Sequence, residues 1–446
     1  MSVNKDTVFA LSSAQGRAAL SVIRISGERA FLIVEKLTKN KIKKFEHQKS
    51  IPSNIYNKNN NLIDKVVLSF YCSPNSYTGE NLVEITTHGN PIIVDNLFNT
   101  LLDLGLRLAN PGEFTNRAYH NEKIDLVQAE SILATINAIS KTGVKSSLLG
   151  VVGKLSNRLE KIKQLLVISL GELEYELDIS EVDNRDLVIE KSKESIKKVI
   201  NDMKKLIKSH NKASILTDGA KIVIIGAPNV GKSTLLNTLI KRDRSIVTNT
   251  PGTTRDTIET LTSFSNYPAL LIDTAGIRKT KNQIEIAGIK KTENEIKSSD
   301  IIFNIQSNTK KENVETDPTK TIKIFNKSDL MTEQEKNNIQ NNNPTCVIIS
   351  AKTKRGIKEL RSKTEKLLKK KTESTEPLFL SSKRQQTALK ESKKHLKKAL
   401  KKESLFELEI IAHNLRLALN EFDWVLGKTS TDNILESVFS KFCVGK

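Results

Sequence analysis

Apolar positions change their period along this chain, and the changes mark out its parts. From Val8 to His88 they come in short runs: Val8-Phe9-Ala10-Leu11, Ala19 to Ile25, Val66 to Tyr71 and Leu82 to His88. Ser26-Gly27 closes the second run, and glycines and polar turns bound the others. Runs of this length with such punctuation predict strands. Phe31 to Leu37 predicts a short helix, and Ile93, Leu97, Leu101 and Leu104 place another over Pro91 to Leu104. Residues 1–118 therefore read as an α+β domain.

The period then lengthens. Leu148, Val151, Leu155, Leu159, Ile162, Leu166, Leu173 and Leu177 recur at three- and four-residue steps, which predicts one long amphipathic helix from Ser147 to Leu177. Ile196, Val199, Ile200, Met203, Leu206 and Ile207 mark another, and the same style returns from Leu389 to Leu426. Each helical half alone would leave an apolar face exposed. Residues 119–215 and 381–446 thus read as one discontinuous all-α domain, interrupted by an α/β insert at 216–380. The fold class expected is α/β multidomain.

The insert carries the clearest chemistry. The apolar run Ile222 to Ile225 leads into Gly226-Ala227-Pro228-Asn229-Val230-Gly231-Lys232-Ser233, and Thr234-Leu235-Leu236 opens a helical pattern. Strand, glycine-rich turn and helix start are the context in which Gly-x4-Gly-Lys-Ser binds phosphate. Backbone N–H groups of Asn229 to Thr234 face the phosphates, Lys232 reaches the β and γ groups, and the Ser233 hydroxyl ligates Mg²⁺. Val247 to Asp256 is a hydroxyl-rich loop in which Thr248 and Thr254 are the candidate γ-phosphate and Mg²⁺ contacts. Asp273-Thr274-Ala275-Gly276 ends a strand with a carboxylate suited to hold Mg²⁺ through water. Asn326-Lys327-Ser328-Asp329 follows another strand; a carboxylate accepting from N1–H and the 2-amino group selects guanine. Ser350-Ala351-Lys352 backs the base. Motifs in this order at strand ends predict an inserted Ras-like P-loop GTPase domain.

One position departs from the Ras-type switch. Ile277 follows Gly276, where a Gln would orient the attacking water. Charge at the transition state must then be met by Arg255, Arg278 or a bound cation. Glu285 is the nearest carboxylate able to orient water; an ordinary surface glutamate is the alternative.

Bulk properties add little that is specific. The 446 residues carry a net charge of +20, which permits a nucleic-acid partner but also follows from a Lys- and Asn-rich composition. Residues 383–402 concentrate this charge, with Lys390, Lys394, Lys397 and Lys401 on one helical face. That face either grips a phosphate backbone or is simply solvated. Three cysteines, Cys72, Cys346 and Cys443, have no metal-ligand spacing. The N-terminus lacks a signal-peptide layout and no apolar run is long enough to span a bilayer, so a cytoplasmic protein without membrane contact is expected.

The sequence resembles the MnmE (TrmE) family of tRNA-modifying GTPases, from about residue 6 to the last residue. The stretches that carry this are Val22 to Gly27, Tyr77-Thr78-Gly79-Glu80, Pro111 to Ala118, Asn121 to Leu126 with Gln128-Ala129-Glu130, Thr250 to Asp256, and Phe442-Cys443-Val444-Gly445-Lys446. Ser12 to Ala19 and Asn90 depart from the family's glycine-rich pattern, and Ile305 to Lys320 reads as a plain polar loop. The resemblance implies a folate-binding N-terminal domain that dimerises, with Arg24, Glu84, Lys123 and Lys446 on a 5-formyl- or 5,10-methylene-tetrahydrofolate. It implies K⁺-stimulated hydrolysis, with K⁺ held by Asn229 and by carbonyls around Thr248, Thr250 and Thr253. It assigns catalysis to Lys232, Asp273 and Glu285, the last in the pattern Glu-x-x-Gly-Ile. It implies a homodimer and a FAD-containing MnmG-type partner, in a heterotetramer or larger complex that adds a carboxymethylaminomethyl-type group to C5 of the tRNA wobble uridine. Cys443 lies near the one-carbon chemistry on this view; a small buried structural thiol is the alternative. A ribosome-assembly GTPase that switches on rRNA would share the nucleotide motifs and the basic charge, but not the tail or Pro111–Ala118. A chain that only scaffolds its partner enzyme is a further alternative.

Overall fold

The computed structural model describes residues 6–39, 46–178, 185–217, 219–240, 259–265, 267–273, 294–307, 316–372, 378–401, 407–429 and 432–446. The chain folds as two compact units, one of Met1–Leu133, Gly150–Asp202 and Thr387–Lys446, the other of Ala134–Leu149 and Met203–Gln386.

The first unit begins with β1 (Val8–Leu11), β2 (Leu20–Ser26), α1 (Ala30–Thr38), β3 (Lys49–Tyr56), β4 (Leu62–Tyr71), β5 (Leu82–His88), α2 (Pro91–Asp103), β6 (Arg107–Leu108) and α3 (Glu113–His120). The strands form a sheet in the order β3-β4-β5-β2-β1-β6. Ile23, Ile25, Val66, Leu68, Val83 and Ile85 alternate onto the face that α1 and α2 cover through Ile33, Val34, Leu37, Leu97 and Leu101. Strand β3 was not foreseen, because Ser, Asn and Pro52 break its pattern. Pro52 pairs with Val67 on an edge strand, where a missing N–H costs no ladder bond.

Helices α4 (Leu126–Asn137), α5 (Lys141–Val151), α6 (Lys154–Asp178) and α7 (Arg185–Thr217) follow. The single helix expected from Ser147 to Leu177 is two. Gly153 stands between them at φ 80°, its N–H bonded to Gly150 O. A left-handed residue ends α5, and Gly153 O then accepts from Asn157 N to start α6. The apolar spacing runs unbroken across this joint, so the periodicity concealed it.

The second unit contains β7 (Ala220–Ile225), α8 (Lys232–Ile240), β8 (Glu259–Phe264), β9 (Tyr267–Asp273), β10 (Ile301–Gln306), β11 (Thr321–Phe325), α9 (Glu333–Asn342), β12 (Val347–Ile348) and α10 (Ile357–Thr372). The sheet order is β12-β11-β10-β7-β9-β8, parallel except for β8. Strands buried on both faces explain the continuous apolar runs. The loop expected from Ile305 starts later, since Ile305 and Gln306 pair with Ile324 and Phe325. Asn304 and Gln306 break the apolar pattern of this strand, although both are buried.

Helices α11 (Lys383–Ala399), α12 (Glu407–Leu426) and α13 (Asp432–Phe439) end the chain. Within the first unit α12 lies along α6, with Lys163 Nζ 2.5 Å from Asp423 Oδ1 and Arg416 Nη2 2.7 Å from Glu174 Oε1. No helix among the described residues is long and apolar enough to cross a membrane.

Candidate functional site

In the second unit, β7 delivers the chain to Gly226. A Cβ there would lie 2.1 Å from Ile305 O, so only glycine passes this close to β10. Asn229 (φ 65°) and Gly231 (φ 97°) turn the loop through left-handed conformations into α8. Lys232 is buried and donates to the carbonyls of Gly226 (2.6 Å) and Ala227 (2.9 Å). Ser233 Oγ donates to Asp273 Oδ2 at 3.2 Å. The hydroxyl at the start of α8 and the carboxylate at the end of β9 therefore converge. An oxygen-only pair of this kind suits a hard cation, and Mg²⁺ fits it.

Asn326 joins the phosphate loop to the base loop. Its Nδ2 donates to Val230 O at 2.9 Å and its Oδ1 accepts from Ala351 N at 3.0 Å. A Cβ on Gly231 would fall 2.3 Å from that same Nδ2, which is why the loop is glycine beside this amide. Thr238 adds a second tie, donating to Ala351 O at 3.1 Å. Asp329 has its carboxyl held below the usual range, first by the Ser350 hydroxyl, so it stays an anion able to accept two bonds from a base. Gly231, Thr234, Asn326, Lys327, Asp329, Ala351 and Lys352 line one cavity of about 310 Å³. Thr248, Thr250, Thr253, Thr254, Arg255, Thr274, Ala275, Gly276, Ile277, Arg278 and Glu285 lie outside the described residues.

In the first unit, Arg24 and Glu84 are cross-strand neighbours on β2 and β5, joined Nε to Oε1 at 2.7 Å. The Arg24 guanidinium stands 5.5 Å from the centre of the Tyr77 ring. Tyr77 Oη bonds Thr115 Oγ1 at 2.9 Å, and burial pushes its phenol up. The C-terminal tail returns to this place. Phe442 packs on Phe439, Ser12 Oγ donates to Gly445 O at 2.9 Å, and Gly112 N donates to Cys443 O. Gly445 sits at φ 96°, and a Cβ there would lie 2.1 Å from Leu11 O. Lys446 ends close enough to Arg24 to feel it: burial, then the Arg24 charge, pushes its ammonium down. Lys123 lies against the Tyr77–Glu80 turn, where a Cβ on Gly79 would lie 3.3 Å from its Cγ. Cys443 is exposed, contrary to the alternative of a buried structural thiol.

The motifs Tyr77–Glu80 and Pro111–Ala118 meet in a buried ionic cluster. Arg117, 6% exposed, bonds Glu80, Glu113 and the Asp6 carboxylate. Arg107 grips Glu113 and Asp6 as well. This cluster fastens α3 to the sheet behind Tyr77. Sequence reasoning assigned no role to Tyr77, Ser12 or Thr238; only the two motif stretches signalled that region.

A phosphate loop, a hydroxyl–carboxylate pair and an amide-tethered base pocket at the carboxyl edge of a parallel sheet define the second unit's sheet domain as a P-loop GTPase. The rest of the chain narrows this further. A family model described as "MnmE helical domain" matches residues 126–443, and one described as "GTP-binding protein TrmE N-terminus" matches 7–123. The tRNA modification GTPase MnmE of Fervidobacterium nodosum is 38% identical over 455 residues, covering 100% of this chain and 98% of that protein. The protein of that name from Pseudothermotoga lettingae is 37% identical, covering 99% and 100%. The one from Thermosipho melanesiensis is 36% identical, covering 99% and 100%. The chain belongs to the MnmE (TrmE) family, and is a GTP hydrolase taking part in tRNA modification.

Proposed function

We propose that this chain is a K⁺-stimulated GTPase that acts as a homodimer with a FAD-containing MnmG-type partner. Together they add a carboxymethylaminomethyl-type group to C5 of the tRNA wobble uridine, using a tetrahydrofolate one-carbon donor, in the cytoplasm. The observation that carries this reading is the tail, which Ser12 and Gly112 hold through the Gly445 and Cys443 carbonyls so that the Lys446 ammonium feels the charge of Arg24, itself paired with Glu84 and set over the Tyr77 ring. A cation pair, a carboxylate and an aromatic face suit a flat heterocycle bearing carboxylates. The folate supplies the one-carbon unit when bound; Arg24, Glu84 and Lys446 hold and orient it, with Lys123 at the rim. Exposed Cys443 beside the pocket is available to the one-carbon chemistry.

In the GTPase domain, Ser233, Asp273 and Thr254 would hold Mg²⁺, which would offset charge on the phosphates. Lys232 leaves the Gly226 and Ala227 carbonyls for the β and γ phosphates. Asn229, with carbonyls at Thr248, Thr250 and Thr253, would hold K⁺, which supplies fixed positive charge where Ile277 supplies none. Glu285 would orient the attacking water, and Thr248, Thr274, Ala275 and Gly276 are the candidate γ-phosphate contacts. Dimerisation is supported by the sheet face opposite α1 and α2, where Leu20 is 57% and Val67 41% exposed.

The test is reconstitution. The full chain, a FAD-containing partner of this type, a tetrahydrofolate, GTP and unmodified tRNA should yield the modified uridine in K⁺ buffer, with GTP turnover slower in Na⁺. Equal turnover in both salts would remove K⁺ from the scheme. Product formed without folate would remove the folate donor.

A further inference from the structure

The nucleotide site takes up only the carboxyl edge of the second unit's sheet. At the opposite edge, where β7 and β10 begin, a second cavity of about 870 Å³ opens. Lys208, His210 and Lys212 near the end of α7, Lys371 at the end of α10 and Lys383 at the start of α11 line it. β7, six residues long, separates the two cavities by roughly 20 Å at about 3.3 Å per residue. A single GTP in the nucleotide pocket does not extend this far.

The cleft's charge survives discounting. Lys221 also lines it, but its ammonium sits 2.5 Å from Glu295 Oε2. Asp300 is the lining carboxylate among the described residues. It accepts from Lys221 N at 2.9 Å; burial pushes its carboxyl up while the Lys371, Lys320 and Lys221 charges hold it down, so one carboxylate stands against the lining lysines. Lys208 and Lys383 are exposed, and Lys371 is half-buried. The amino end of the 17-residue α11, capped where Ser382 Oγ accepts from Gln385 N, adds partial positive charge.

We propose that this cleft grips the phosphodiester backbone of RNA, giving tRNA a foothold on the GTPase unit separate from the nucleotide. The inference rests on the tRNA role argued above. Its chemistry favours backbone over bases. The cations are lysines, which act as point charges without a directional fork, and among the described lining residues there is no arginine and His210 is the one ring, its Nδ1 at 3.1 Å from Leu380 O. The cations come from three separate helices, an arrangement suited to successive phosphates along a strand.

The experiment is tRNA binding by the full-length chain, followed by fluorescence anisotropy across a salt series. The triple variant Lys208→Gln/Lys371→Gln/Lys383→Gln should bind tRNA at least tenfold more weakly at low salt. Its log–log salt slope should fall by about 2–3, as loss of three phosphate contacts requires. GTP affinity and GTP turnover without tRNA should be unchanged, which also shows that the variant is folded. Photo-crosslinking of wild-type chain to tRNA should label peptides around 208–212 and 371–383, a readout independent of any variant's folding. If wild type binds tRNA but the triple variant matches it in affinity and slope, the cleft inference is overturned. Inorganic triphosphate that binds in the cleft without displacing tRNA would overturn it too, and point to a small phosphorylated ligand. If wild type binds no tRNA under any salt, the functional reading itself fails.

Discussion

Single side chains carry more of this account than their number suggests. Asn326 is the clearest: one amide satisfies Val230 O and Ala351 N through two buried hydrogen bonds. Asn326→Ala would leave both groups unpaired, which costs about 1–3 kcal/mol each. GTP titration of that variant should show affinity weakened at least tenfold, with the base loop and phosphate loop no longer held in register; unchanged affinity would deny the tether. The motif Asn-Lys-x-Asp was legible in the sequence, but this second duty of its Asn was not, because the partners lie 96 and 25 residues away. Glu285 belongs to the same scale. Glu285→Ala should lower turnover by about 10² or more while GTP binding stays near wild type. Wild-type turnover would return Glu285 to an ordinary surface residue.

At the level of elements, two attachments hold the surroundings of Arg24 in place. The first is the ionic cluster that fastens α3. Burial pushes the Glu113 carboxyl up, but hydrogen bonds from Arg107, Asn110 N–H and Arg117 outweigh burial and hold it at about 2. A carboxyl depressed in the folded state contributes stability above its unfolded pKa and loses it as pH falls toward the folded value. Denaturant midpoints should therefore fall between about pH 4.5 and 2, and Glu113→Gln should flatten that fall. The variant should also lose about 3 kcal/mol at neutral pH, because Arg117 stays buried with one partner fewer. The second attachment is the tail. Gly445→Ala puts a Cβ against Leu11 O at a left-handed φ, so the tail must lift. Folate affinity should drop severalfold while GTP turnover without partner is unchanged; equal folate affinity would show that Lys446 is not needed there. The strands β2, β4 and β5 and helices α1 and α2 were legible because their alternation or helical spacing is clean. The edge strand β3 was not, since an exposed edge tolerates Pro52 and polar residues. Nor was the α5–α6 break, since Gly153 alone marks it within an unbroken apolar rhythm. The tail motif was visible as a string of letters, but its docking beside Arg24 depends on contacts across more than 400 residues.

For the whole molecule, the sequence order and the spatial order differ in a way that matters for function. The first and last stretches of the chain meet in one unit, and the nucleotide switch is inserted between them. Fold class and the GTPase motifs could be read from the sequence because each motif lies at a strand end within a short span. The side chains around Arg24 could not be brought together from the sequence by physical argument, because they come from β2, β5, the Tyr77 turn and the tail. The central claim is that GTP hydrolysis by this chain serves wobble-uridine modification. Its most direct test is mass spectrometry of tRNA nucleosides from cells lacking the chain, complemented with wild type or with Lys232→Ala. The account predicts that the C5-modified wobble uridine disappears, returns with wild type and stays absent with Lys232→Ala. An unchanged wobble-uridine pool in the deletion strain, or full restoration by Lys232→Ala, would contradict it.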